Sequence, residues 1–233
     1  MNGETGWGRA LAIGLTVSTH SAALAEETGT PVATAIVLGS VWTDRAVIQR
    51  DRVIAMPGRT QPDRPIEARL GMETVRTRSD GSGRFTLRFA ARGASADPVD
   101  LTVTSEGQPI LHVRDLLVGD VVLCAGQSNM AMPLSQALDG WNRTRAAGDP
   151  ALRLLTLPIS TAEQPREVFV APPQWLTDSP DSAGAFSAAC HAMAVELRRR
   201  SGVPVGAIVA AQGGTPIRPW LAVADAGSLL TPA

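Results

Sequence analysis

Two short segments carry residues suited to chemistry. The first is Gly126-Gln-Ser-Asn129, which follows the apolar run Asp120-Val-Val-Leu-Cys-Ala125. The second is Gly213-Gly-Thr215, which follows Val205-Gly-Ala-Ile-Val-Ala-Ala211. A serine just past a strand, where a helix begins, meets unpaired backbone N–H groups and the positive end of the helix, and both favour a developing oxyanion. Glycines in the second loop would let further N–H groups approach the same oxygen. The pair suits acyl transfer with Ser128 as the nucleophile. The competing reading is that Ser128 and Asn129 cap the next helix and the glycines form an ordinary turn. The motif is not the Gly-x-Ser-x-Gly elbow, because Met130 stands where the second glycine would be.

A serine needs a base, and the chain has three histidines, His20, His112 and His191. His20 falls in the N-terminal apolar segment. His112 alternates with Leu111 and Val113 and is expected to face solvent from a strand. On a helical wheel of about 100° per residue, Phe186, Ala189, Cys190, Met193 and Leu197 share a side, and His191 falls about 140° from Phe186, away from them. A helix returning along the sheet would also hold His191 below the edge that carries Ser128. None is expected to serve as the base.

The elements that would position these loops fall into two grammars. Between residues 35 and 117 short alternating runs predominate: Ile66-Glu-Ala-Arg-Leu70, Arg84-Phe-Thr-Leu-Arg-Phe89 and Val99-Asp-Leu-Thr-Val103. Period two implies one dry face and one wet face, hence an antiparallel, sandwich-like or barrel-like β-domain. Asp80-Gly81 and Gly83, between Val75–Arg78 and Phe85, read as a hairpin turn. After Gly119 come a continuous apolar strand, a long polar connection with Pro150, Pro158, Pro165, Pro172, Pro173 and Pro180, a helix over 184–200 closed by Gly202, and a second buried strand. That is the opening of a doubly wound α/β domain with its sites at the carboxyl ends of the strands. Two parallel strands and one helix cannot bury both faces of a sheet, so the β-domain, a partner or further chain must complete it.

Bulk properties narrow the partners. Across 233 residues the formal net charge is −1, all 21 basic residues are arginine, and no basic patch suited to nucleic acid or anionic lipid stands out. No His/Asp/Glu cluster has metal-ligand spacing, and with no lysine a phosphate-binding P-loop is absent, so no metal or cofactor is expected. Arg9, the apolar segment from Ala10 to Ala25 and the ending Ala23-Leu-Ala25 have the form of an export signal, too short for a membrane span. The expected product is secreted or periplasmic. Cys124 and Cys190 lie in apolar runs; a disulfide needs matched geometry, and two buried thiols are the expectation.

The run Val118-Gly-Asp-Val-Val-Leu-Cys-Ala-Gly-Gln-Ser-Asn-Met-Ala-Met-Pro-Leu134 resembles the serine block of sialate O-acetylesterases and related carbohydrate acetylesterases, members of the SGNH (GDSL-type) hydrolases. Val47-Ile-Gln-Arg50, Arg153-Leu-Leu-Thr-Leu-Pro158, Phe186-Ser-Ala188, Gly202-Val-Pro-Val-Gly206, Gly213-Gly-Thr-Pro-Ile217 and Trp220 are similar to further blocks, in the same order, covering about residues 35–220. The resemblance implies a signal peptide at 1–25, a β-sandwich-like domain at 26–117 and, at 118–233, the N-terminal part of a flavodoxin-like three-layer α/β/α SGNH domain. It implies Ser128 as nucleophile and oxyanion donor. Gly126, Gln127, Asn129, Gly213, Gly214 and Thr215 would then surround the oxyanion and an acetylated sugar, sialic acid or another glycan. Gln212 stands where relatives often carry tryptophan. The family's Gln-Gly-Glu block and its late Asp-x-x-His block, which supplies the base, have no counterpart in these 233 residues. The expectation is therefore a carbohydrate O-acetylesterase shortened at its C-terminus; a split enzyme with a complementing C-terminal half as partner is a further idea without direct sequence support. The alternative is an inactive remnant that binds sugars or other partners.

Overall fold

The computed structural model describes residues 35–106, 108–160, 169 and 171–216; the export-signal segment, His20, Ile217 and Trp220 lie outside them. The described residues belong to one compact unit and combine a β part with an α/β part. Three strands, β1 (Val37–Leu38), β3 (Ile54–Arg59) and β6 (Arg84–Phe89), form an antiparallel sheet in the order β1-β3-β6. A larger sheet contains β4 (Pro65–Leu70), β5 (Glu73–Arg78), β7 (Ser95–Ser105), β8 (Leu111–Gly126), β9 (Leu152–Thr156), β10 (Leu176–Thr177) and β11 (Val205–Ala211). Its order is β10-β9-β11-β8-β7-β4-β5, and β2 (Val47–Gln49) runs parallel to β8.

Alternation in the sequence becomes burial. Ile66, Ala68 and Leu70 of β4 and Phe85, Leu87 and Phe89 of β6 point into one core with Met56, Leu101, Val103, Val113 and Leu116, so both sheets contribute to it. Fully burying each aliphatic or aromatic side chain of this kind contributes about 1.5–3 kcal/mol relative to leaving it exposed.

The turn after β5 is not a hairpin. β5 pairs with β4 and β6 pairs with β3, so Asp80–Gly83 carries the chain from one sheet to the other. The Asp80 carboxylate accepts from the backbone N–H groups of Ser82 and Arg84, and Gly83 takes a left-handed backbone (φ 80°). An added Cβ at Gly83 would lie 2.1 Å from the Thr60 carbonyl oxygen, so the close approach itself requires glycine. The local turn signal is real, but side-chain-to-backbone bonds and this close contact use it as a corner.

β8 joins the two parts. Residues 111–118 pair antiparallel with β7, and residues 120–126 pair parallel with β11. The strand thus crosses positions 117 and 118 without a break. Near Asp115 the register with β7 shifts; Asp115 has a left-handed backbone (φ 59°), and its carboxylate receives two hydrogen bonds from the buried Arg153 guanidinium at 2.8 and 3.0 Å.

The proline-rich connection holds a third parallel strand, β9, which pairs with β11. Its first four residues, Leu152-Arg-Leu-Leu155, are all buried, including Arg153, whose charge meets Asp115. Four short helices or turns flank the sheet: α1 (Ser128–Ala131), a 3-10 turn (Leu134–Gln136), α2 (Gly140–Ala146) and α3 (Pro180–Ala183). The long helix is α4 (Ala188–Ser201). Ser187 caps its start by accepting from the Cys190 N–H, and Gly202 (φ 70°) closes it by donating to the Arg198 carbonyl.

Two expectations are corrected at α4. Phe186, the zero of the helical wheel, lies outside the helix. The buried face is instead set by Ala188, Cys190, His191 and Ala194, while Met193 is 42% exposed. His191 is therefore inside. Cys190 and Cys124 are joined as a disulfide, with Cα atoms 5.9 Å apart, rather than standing as two buried thiols. Apolar surroundings suit either state; what decides is that α4 packs over β8 and β11 with the two residues facing each other.

Candidate active site

The parallel register sets Ala211 beside Gly126, so the loops that leave β8 and β11 emerge side by side. The Gln212 N–H donates to the Gly126 carbonyl at 3.0 Å and holds the second loop against the first. A Cβ built on Gly213 would lie 3.8 Å from the Cα and Cβ of Ser128, in ordinary contact. Gly214 takes a left-handed backbone (φ 79°), and Thr215 Oγ1 donates to the Gln212 carbonyl at 2.8 Å, closing the second loop. Gly126, Gln127, Ser128, Gln212 and Gly213 thus come together at the carboxyl ends of two parallel strands. Asn129 and Gly214 are exposed beside them, and Thr215 is partly covered.

Ser128 opens α1 and is exposed. The Gln127 side chain caps that turn. Its Oε1 accepts from the Ser128 N–H at 2.8 Å and from the Ser128 hydroxyl at 2.5 Å. One carboxamide therefore engages both the group that would attack and the N–H that would stabilise an oxyanion. Among the described residues the Ser128 hydroxyl has no other hydrogen-bond partner, and a neutral carboxamide oxygen is not a general base.

The histidines fall as follows. His112 is exposed on β8, with Nδ1 3.5 Å from Thr102 Oγ1, as alternation implied. His191 is buried, and its Nε2 lies 2.8 Å from Asp178 Oδ1. Burial alone would push the Asp178 carboxyl up. Hydrogen bonds from His191 and from the Gly148 and Asp149 N–H groups outweigh this and hold it below the ordinary carboxylate value. The pair lines a cavity of about 620 Å³ between α2 and α4, and Ser128 is not among the lining residues. His191 is thus committed to Asp178 and does not serve Ser128. Nothing in the spacing of residues 178 and 191 announces the pair, since Asp178 sits just before α3 and meets His191 only through tertiary packing.

No protein-family profile matches the sequence. Among curated proteins, the sialate O-acetylesterases of Pongo abelii and Homo sapiens are each 37% identical over 120 residues, which cover 47% of this chain and 22% of the relative. A solved structure described as a novel carbohydrate acetylesterase from Xanthomonas citri superimposes with a TM-score of 0.79 at 35% identity, over 83% of this chain and 44% of that one. Over these stretches the chain is similar to sialate O-acetylesterases and to a carbohydrate acetylesterase. It spans about a fifth of the length of the curated acetylesterases it matches and under half of the solved one. The 83% of this chain that superimposes exceeds either part of the fold alone.

Proposed function

We propose that this chain is the serine-bearing part of a carbohydrate O-acetylesterase, with a β-sandwich-like leader and an SGNH-type α/β/α domain. The observation that supports this best is that the Gly213 backbone comes close beside Ser128 at the ends of β11 and β8, a Cβ built there lying 3.8 Å from Ser128. In the reaction the Gln127 carboxamide turns away, and a base withdraws the Ser128 proton as Oγ attacks the acetyl carbonyl carbon. The Ser128 N–H, with donors from the Gly213–Gly214 loop, holds the oxyanion of the tetrahedral intermediate. The intermediate collapses to acetyl-Ser128 as the sugar hydroxyl leaves with the proton. Water then releases acetate and restores the serine.

The base belongs to a complementing C-terminal segment, and the second edge of β8 offers the place for it. Asp120 and Gly126 bond to the β11 side through the Pro204 carbonyl and the Gln212 N–H. By ladder alternation, the peptide groups of Val121, Leu123 and Ala125 point the other way. There the Val121 N–H meets the Gln49 carboxamide, and Leu123 is 64% exposed. A further strand added along this edge would flank Ser128. The Cys124–Cys190 disulfide agrees with a periplasmic or secreted setting.

The test is hydrolysis of an aryl acetate and of an acetylated sugar by the full-length gene product. Ser128→Ala is expected to lower the rate by at least about 10³-fold; a variant that keeps wild-type activity would refute the assignment. The second reading, a sugar-binding remnant, is favoured by the Ser128 hydroxyl meeting Gln127 and no histidine among the described residues. It expects no fluorophosphonate labelling of Ser128 in the 233-residue chain, and stoichiometric labelling would count against it.

A further inference from the structure

A second cavity, of about 400 Å³, opens between the segment before β2, the start of β8 and the segment before β10. None of the residues around Ser128 lines it. Its floor is apolar: Val113 and Trp175 are 3% and 2% exposed, and Pro173 is buried. Trp42, partly exposed, forms a wall. The rim is polar and wet, with Asp44, Arg45, His112 and Gln174 all exposed.

The rim is held in place. Asp44 Oδ1 accepts from the Arg114 N–H at 2.8 Å, and the Arg45 N–H donates to the Arg114 carbonyl at 2.9 Å. Arg45 takes a left-handed backbone (φ 67°), a conformation that is strained for a residue with a side chain and collects at binding sites. Below, Trp175 Nε1 donates to the Val41 carbonyl at 2.8 Å, so floor and rim share one framework. Among the described residues the Arg45 guanidinium, the Gln174 amide and Asp44 Oδ2 have no partners of their own. They remain available to a ligand.

We infer that this cavity is a second site, one that binds a neutral pyranose unit of a glycan. The choice of a sugar rests on the carbohydrate reading above. A pyranose has apolar C–H faces that suit an indole wall and an apolar floor. Its ring of hydroxyls suits a carboxylate that accepts, a guanidinium that donates and an amide that does both. With one carboxylate opposite one guanidinium, the rim has no charge excess to attract a phosphate or a polyanion.

The test uses the Ser128→Ala protein, so that binding is read without hydrolysis. Xylotetraose, chitotetraose and 3′-sialyllactose are titrated by saturation-transfer NMR and calorimetry. Xylotetraose or chitotetraose is expected to bind, and His112→Ala and Gln174→Ala to weaken that binding at least tenfold with unchanged thermal stability. Both side chains are exposed, so their loss leaves the core intact. Trp42 packs on the core and is for that reason not the test. Binding of neither neutral sugar, binding of 3′-sialyllactose alone, or full affinity in both variants would overturn the inference. Esterase activity plays no part in these readouts, so failure of the esterase reading and failure of this one are seen separately.

Discussion

Reduction of the Cys124–Cys190 bridge should destabilise the fold by an amount the structure bounds. The bridge closes a 66-residue separation. The chain-entropy relation for a loop of that size gives about 4.4 kcal/mol at 25 °C, above the usual observed range of about 2–4 kcal/mol. For a domain of this length each kcal/mol moves Tm by about 2–4 °C, so reduction should lower Tm by about 5–15 °C. Circular dichroism melts with and without a phosphine reductant read this directly. Thiol titration of the unfolded, unreduced protein should find no free thiol. Since Cys124 lies four positions before Ser128, the loss should also appear as earlier proteolysis near the end of β8. Two titratable thiols per chain, or melts that agree within about 2 °C, would refute the bridge.

Four further substitutions test other parts of the structure. Gly119→Ala would set a Cβ 1.9 Å from the Pro204 carbonyl oxygen, and should cost at least about 3 kcal/mol in a urea melt. Gly93→Ala, which meets nothing within 4 Å, should stay within about 0.5 kcal/mol. Gly213→Ala adds a methyl at 3.8 Å from Ser128 and should leave stability nearly unchanged. In the active full-length protein it should lower acetate hydrolysis by about 10–100-fold. Asp178→Asn removes one partner of a buried pair and should cost about 3 kcal/mol at neutral pH. Because folding lowers the Asp178 pKa, the stability it contributes is complete above its ordinary value of 3.8 and is lost as pH falls through the folded value. The variant should therefore show a shallower acid limb in melts recorded from pH 5 to pH 2.

The sequence made the strands and the serine loop legible because both are local. Alternation in Ile66–Leu70 and Arg84–Phe89 is read from neighbouring residues, and burial follows it residue by residue. The meeting of Ser128 with Gly213 follows once β8 and β11 are parallel neighbours. What escaped depends on contacts remote in the chain. Arg153 hides β9 because a charge inside an apolar strand is tolerated only where Asp115 waits for it. His191 looked like a solvent-facing residue because Asp178, its partner, leaves no trace in helical periodicity. The wheel also took Phe186, which lies outside α4, as its reference; it set Cys190 on the buried side, where it lies, but turned His191 outward and Met193 inward. Gln127 is an ordinary capping residue by type, and only the position of its carboxamide shows that it holds both reactive groups of Ser128.

β8 runs for 16 residues from Leu111 beside the leader core to Gly126 beside the serine. At about 3.3 Å per residue that is a rod roughly 50 Å in contour, bent once near Asp115. A linker lets two modules be exchanged, separated or rotated; a shared strand does not. Cutting it between residues 117 and 118 would sever the strand at Val118, where it pairs with Ile48 and Ser95, and free the base of the segment that carries the serine loop. The leader is therefore part of the foundation of the reactive loop, and homologous exchange of either half should succeed only when β8 travels whole.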